Sequence, residues 1–543
     1  MSKRVQDLIN SRISRKHHSL YQVKLKEEEL SEIRMGKEIS YSIDDALEKA
    51  KFGKFNYFMI VLFALILVSG FLEVNSVNMI LSIAQCELDL SNSHKGFLGA
   101  VGYIGIIVSS HFWGFMADTR GRKKVLIPAL IYSFLFTVIS SFSTSFWFLA
   151  VTRFFNGFCV CATQTIVYAY LCEFYSLKLR DLILLVASVI YAIFTLIYPL
   201  YGILFLSHES WNFYIPFLDM NYRSWRLFIL MCGVPSVLSV IGMIVFIPES
   251  PKFTYAQGDE EGTLKILQRI FKCNTGKPAD EYEVKSLIKD QESTNQNPAM
   301  SKGFFSLMWS QTIQLFKRPH LKNTLTACYL QFGVCLSSNG FWTFLPETLN
   351  RVSLWMESEA TKPANPTLCH IVNNFDRSSN SSISEEEHEA FCVTKLELGT
   401  FTNVVILLIF YILSLFTLSL LIKRVGKVLI ISTINIIGGA ASLLLMFTSI
   451  PYLSIAIYFM MLLSIVNLSV INASTVELFP TSLRAMAVSL SMMIGRIGSV
   501  LGSNFLGLLI KNYCTYTWLL PAVLLFSGGF LAFTIPNVKK LPK

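Results

Sequence analysis

Three ionisable residues lie inside long apolar stretches of this chain: Glu73, Arg153 and Arg496. A charge surrounded by hydrocarbon is costly unless it is solvated or paired, so each marks a place where something is bound or held. Glu73 and Arg153 fall at similar depths, Arg153 roughly 10 Å into its stretch at a helical rise of about 1.5 Å per residue. They can form a static pair with each other, or both can face a solute. Arg496, beside Gly495 and Gly498, suits either a gate or a packing position. The amides Asn75, Asn78, Asn156, Gln164, Gln331, Asn339, Asn467 and Asn472 are further candidates for a polar cavity. Any one of them serves equally well as hydrogen-bonding glue between helices. A second set of charges, Asp118, Arg122, Glu173, Arg180, Glu477 and Arg484, sits at the ends of apolar stretches rather than within them.

The elements that must position these residues follow from composition. Of 543 residues, 53% are hydrophobic and 15% charged, and the mean hydropathy is +0.51. A soluble domain carries about 25% charged residues. The apolar residues fall in long runs, which excludes a soluble enzyme, a disulfide-framework secreted protein and a nucleic-acid binder, whatever the net charge of +10. Crossing a bilayer takes about 20 mostly apolar residues. Twelve segments qualify, numbered here as spans one to twelve: 55–83, 97–113, 125–142, 146–170, 182–206, 225–247, 324–346, 399–422, 428–449, 453–476, 485–510 and 516–535. The expected fold is an all-α membrane protein of twelve transmembrane helices. Residues 1–54 are polar and lack the apolar core of a signal peptide.

Lys and Arg set the expected orientation. The first 54 residues, the connections 120–124, 178–180, 248–322, 423–427 and 484, and the tail 536–543 carry thirty-six of them, against eight in the connections on the other side. That asymmetry predicts both termini in the cytoplasm. Two inserts break the rhythm. Residues 248–322 form a cytoplasmic loop in which Leu264, Leu267, Ile270 and Phe271 make one helical stripe. Residues 347–398 form an acidic exoplasmic insert with one accessible glycosylation sequon at Asn380. The insert also holds Cys369 and Cys392 on the oxidising side, where a bridge between them is expected; two free thiols in a loop are the other possibility.

Two motifs repeat. Gly114-Phe115-Met116-Ala117-Asp118-Thr119-Arg120-Gly121-Arg122-Lys123 follows span two, and Lys423-Arg424-Val425-Gly426-Lys427 follows span eight. Glu173 to Arg180 follows span four, and Glu477 to Arg484 follows span ten. The offsets are 305 residues for Gly121 to Gly426 and 304 for Glu173 to Glu477. The chain therefore reads as two six-span halves, 55–247 and 323–535. These motifs, with Pro248-Glu249-Ser250-Pro251-Lys252 after span six, resemble the major facilitator superfamily and its sugar-porter-like branch. Ser42-Ile43-Asp44-Asp45-Ala46-Leu47 and Phe52-Gly53-Lys54-Phe55 more narrowly resemble the synaptic vesicle glycoprotein 2 family and its relatives.

The resemblance implies a cavity lined by spans one, four, seven and ten, with spans two and eleven facing each other through their glycines. It also implies a cytoplasmic gate built from Asp118, Arg122, Glu173, Arg180, Glu477 and Arg484. Lys423 stands where the second half would repeat the Asp, which weakens the latch on that side. No nucleotide loop, metal-ligand cluster or nucleophile constellation is present in the sequence, so neither cofactor nor metal is expected. The expected function is secondary transport of a small polar or organic-ion solute by alternating access, in a monomer of the plasma membrane or a secretory or synaptic vesicle, with a coupling ion as a further partner. Hexose fits less well, because span seven offers only Gln331 and span ten carries Val466-Asn467-Leu468-Ser469. The alternative is a transporter-like vesicle glycoprotein that acts mainly in binding or trafficking. If the insert is exoplasmic, glycosidase treatment sharpens the protein band and Asn380→Gln migrates like the treated protein; glycan on any other residue contradicts that topology.

Overall fold

The computed structural model describes residues 40–208, 211–216, 220–288, 312–357, 367–377, 396–479, 481–510 and 513–535. They fall into two compact units. The larger takes in residues 59–171, 182–248 and 297–543 and contains the bulk of the apolar helices. Among the described residues, eleven helices are long and apolar enough to cross a membrane, from Lys54–Ile80 to Cys514–Thr534. The expected span seven is broken. It runs as an α-helix over Leu321–Cys335, loosens into a π-helical turn over Leu336–Gly340, and resumes as a second helix at Leu345–Glu357. Span ten is interrupted too, by a 3₁₀ turn at Leu463–Val466 between Pro451–Leu462 and Asn467–Leu478. The two breaks meet: the Ser338 and Ser464 hydroxyls hydrogen-bond at 2.8 Å. Such departures from α geometry inside a helix concentrate at functional sites.

The internal repeat is visible in the backbone. Helix Asn92–Arg120 ends at Gly121, with φ +99° and ψ 150°, and helix Arg122–Ser141 begins at once. Helix Leu398–Val425 ends at Gly426, with φ +94° and ψ 149°, and helix Lys427–Leu445 follows. Positive φ with ψ near 150° is a region that only glycine enters without strain. The same turn made at both positions explains why glycine recurs there.

Close packing between halves also depends on glycine. Helices Asn92–Arg120 and Thr481–Leu509 approach so closely that a Cβ on Gly96 would lie 2.7 Å from the Ser503 carbonyl, and one on Gly507 would lie 2.6 Å from that of Asn92. Small residues let helix backbones meet where neither water nor long side chains intervene.

The smaller unit gathers residues 40–58, 172–181 and 249–288. Helix Ile43–Lys49 is capped by the Ser42 hydroxyl, and helix Glu260–Thr275 by Asp259, whose carboxylate accepts from Gly262 N at 2.8 Å. Leu267, Ile270 and Phe271 are buried, and Phe271 packs on Tyr282. Asn274 ties this helix to the chain entering span one, through the carbonyl of Lys51 at 2.7 Å and the Phe55 amide at 3.0 Å. Strands Ser40–Tyr41 and Ser286–Leu287 pair in parallel.

Gly121→Ala and Gly426→Ala should each lower the apparent melting temperature, in line with about 1–3 kcal/mol of backbone strain. Gly114→Ala, a helical position with nothing within 4 Å of the added Cβ, should leave it unchanged or raise it. Equal effects at all three would contradict the repeated-turn account.

Candidate functional site

Glu73 is fully buried on helix Lys54–Ile80. Its carboxylate accepts hydrogen bonds from Ser133 of span three, from Asn156 of span four at 2.7 Å and from Ser236 of span six at 2.5 Å. Arg153, 2% exposed, does not meet that carboxylate. Its Nη1 donates instead to the Glu73 backbone carbonyl and to the Ser76 hydroxyl, both at 3.1 Å. Arg153 Nε and Nη2 have no hydrogen-bond partner among the described residues. The two charges and Asn156 thus form one polar knot within the amino-terminal half. Asn78 donates to Asn75 at 3.2 Å within its own helix, whereas Asn467 donates to Asn435 of span nine at 2.8 Å and so binds helix to helix. Asn339 lies in the π-helical turn. Gln331 is buried, and neither its Oε1 nor the buried Asn472 Oδ1 has a partner among the described residues. Arg496 reaches across to the other half, where its Nη2 donates to Gln164 Oε1 at 3.3 Å.

The six gate candidates are distributed as follows. Asp118 and Arg122 pair with each other across the Gly121 turn at 3.1 Å, and the Asp118 side chain is 75% exposed. Glu477 pairs with Lys427 at 2.5 Å, inside the carboxyl-terminal half. Arg484 has a buried Nε without a partner among the described residues. Arg180 and Glu173 belong to the smaller unit, in which Arg180 contacts Asp44 at 3.4 Å and Glu173 adds to the field around Lys252. Asp44 also pairs with Lys252 at 2.5 Å. Burial presses the Lys252 ammonium below its ordinary range, and Asp44 and Glu173 work against that shift.

The ion pair that joins the halves lies at the opposite ends of these helices and was not among the candidates. Lys95, 0% exposed, opens helix Asn92–Arg120 and meets Glu347, 5% exposed, at 2.5 Å. Lys95 also donates to Gln85 at 2.9 Å, beside the disulfide-bonded Cys86. Glu347 Oε1 accepts a second bond from Arg351 at 2.7 Å, and Arg351 Nη1 donates to the Val372 carbonyl at 2.7 Å. Glu347 Oε2 lacks a partner among the described residues; it borders a cavity, lined also by Asn92 and Thr348, with room for about one water. Burial alone would raise the Glu347 carboxyl, but Lys95 and Arg351 outweigh it and hold it down at about 2. In sequence these are ordinary loop charges; the signals were Lys95 directly before the glycines of span two and the four-residue spacing of Glu347 and Arg351.

A disulfide anchors this cluster, and it corrects the expected one. Cys369 bonds to Cys514, 145 residues away, and not to Cys392, which lies outside the described residues, as does Asn380. The bridge ties helix Leu368–Arg377, which carries the Val372 carbonyl, to the connection between spans eleven and twelve. Local spacing suggested a short loop, whereas the fold brings Cys514 to a Cα–Cα distance of 5.7 Å from Cys369.

Repeated halves, apolar helices with internal breaks, and a buried ion cluster holding the halves together at one end define a multi-pass membrane protein with a transporter fold. The chain belongs to the major facilitator superfamily, whose family model matches residues 61–354 and 367–543. Human synaptic vesicle glycoprotein 2B is 25% identical over 328 residues, covering 58% of this chain and 48% of that one. Mouse synaptic vesicle glycoprotein 2C is 23% identical over 331 residues, covering 58% and 45%. The matched region thus spans about half the length of those relatives. Two solved structures of the xylose transporter XylE from E. coli share the fold. One, inward open, has a TM-score of 0.59 at 15% identity and covers 89% of this chain and 96% of its own. The other, partially occluded and inward open, has a TM-score of 0.57 at 12% identity and covers 90% and 99%.

A carboxyl held low contributes stability that is complete above its unfolded value, near 4.3, and is lost as pH falls through its folded value. The melting difference between the wild type and Glu347→Gln should therefore hold constant from pH 7.5 to 5.5 and narrow below about pH 4. A difference that changes between pH 7.5 and 5.5 would contradict the ion cluster.

Proposed function

We propose that the protein is a secondary transporter that moves a small polar or organic-ion solute by alternating access. The observation that carries this reading is the buried Lys95–Glu347–Arg351 cluster, which joins the halves at one end. At the other end of helix Asn92–Arg120, Gly114 faces open space and Asp118 is exposed. A two-half carrier needs closure at one mouth while the other is open, and the exchange of such contacts moves the solute. The Lys and Arg asymmetry supports an exoplasmic Lys95 end and cytoplasmic termini, and in that orientation this conformation is inward-facing. Plasma membrane and secretory or synaptic vesicle membrane both suit that orientation. The small solute is the principal partner, with a coupling ion as a second.

One observation favours the other reading, a vesicle glycoprotein that binds or assists trafficking with little transport. Glu73 and Arg153 are committed to contacts inside one half, which leaves fewer charges for a moving solute.

The test uses two reporter cysteines in a Cys273→Ser background, because Cys273 is the exposed free thiol among the described residues. Thr343→Cys sits against Gly99 near the sealed end, and Gly114→Cys sits at the open one. Glu347→Gln removes the carboxylate that Lys95 and Arg351 share and should drive the sealed end open. Labelling at position 343 should rise severalfold while labelling at 114 falls. Unchanged labelling at both, or a rise at both, would contradict alternating access.

A further inference from the structure

Arg496 lies near the middle of helix Thr481–Leu509 and is partly exposed, although its neighbours Gly495 and Ser499 are buried. Among the described residues no carboxylate comes within ion-pair distance of it. Its contacts are neutral. Nη2 donates to Gln164 Oε1 at 3.3 Å, on span four of the other half. A guanidinium has five N–H donors, so one neutral acceptor leaves most of the fork unused. Gly495 brings span eleven against span seven, where an added Cβ would lie 2.7 Å from Gln331 Cγ. Gln331 is buried, and its Oε1 has no donor among the described residues. Tyr103 of span two stands in electrostatic range of the guanidinium, and Tyr191 in such range of Tyr103 and Tyr411.

A cation at this depth needs water or a counter-ion. The protein supplies no carboxylate, and the planar fork matches a planar oxyanion in two parallel hydrogen bonds. We propose that Arg496 is the counter-ion for the carboxylate of an organic anion bound between the halves, with Gln331 accepting a hydroxyl or N–H from its body and the tyrosine rings covering its apolar part. The proposal rests on the carrier reading and deepens it by naming the solute class. It also accounts for the position of Arg496, which touches both halves and so senses their separation.

The probes are a series of monocarboxylates from acetate to naphthoate, with their primary amides and the matching amines, tested for thermal stabilisation of the purified full chain. At least one carboxylate should stabilise the protein saturably, and its amide should need at least tenfold higher concentration, as the loss of charge-assisted hydrogen bonds implies. Arg496→Lys should keep weakened binding. Arg496→Gln should abolish it without lowering the melting temperature of the unliganded protein, since it removes a cation that lacks a counter-charge. Equal stabilisation by amide or amine, stabilisation that survives Arg496→Gln, or none from any carboxylate overturns the proposal. Arg496-dependent stabilisation without counterflow of the same carboxylate in proteoliposomes supports the site and overturns the carrier reading instead.

Discussion

Lys95 and Glu347 are buried so completely that neither could stay charged alone. Removing one partner of such a pair typically costs about 3–5 kcal/mol, because the other is left uncompensated. The two residues come from different halves of the chain, so this ion pair exists only while the halves are together at that end. Arg351 and Gln85 fix the geometry from either side, and each is tied in turn to disulfide-anchored backbone: Arg351 through Val372 on the Cys369–Cys514 helix, Gln85 through its neighbour Cys86. An all-or-none contact of this kind favours two discrete arrangements over a continuum. The glycine contacts around it, Gly96 on Ser503 and Gly507 on Asn92, allow the helices to close without interlocking side chains.

The polar residues in the spans divide into two kinds. Glu73 and Asn156 are consumed by contacts inside the amino-terminal half, and Asn467 ties span ten to span nine inside the other. They hold each half rigid, which a carrier requires if its halves are to move as bodies. Arg496 and Gln331 are under-satisfied and lie where spans from both halves converge. Rigid halves and an unsatisfied centre are complementary features of one design.

The sequence made the two-half plan legible because its signals are local. Hydropathy marks the helices, and Gly121 and Gly426 mark turns that no other residue makes easily. The break in span seven was not legible, because Leu336-Ser337-Ser338-Asn339-Gly340 contains no proline, and polar residues and glycine also occur inside spans that run unbroken. The disulfide partner of Cys369 was assigned by proximity in sequence, which says little about proximity across a long connection. Lys95 and Glu347 were counted as loop charges, since their burial arises only when the halves meet. Glu73 and its partner Asn156 were recognised as significant from their polarity within the bilayer, but the other partners, Ser133 and Ser236, are too common a residue type to be singled out in sequence.

The central claim is that the halves of the wild-type chain exchange closure at one end for closure at the other. Its most direct measurement is the distribution of distances between spin labels in two pairs, one spanning the halves near Lys95 and one near Gly114, with and without a bound solute. Two populations at each end, with the long distance near Lys95 growing as the long distance near Gly114 shrinks, is the result this account predicts. A single unchanging short distance near Lys95, whatever happens at the other end, would contradict it.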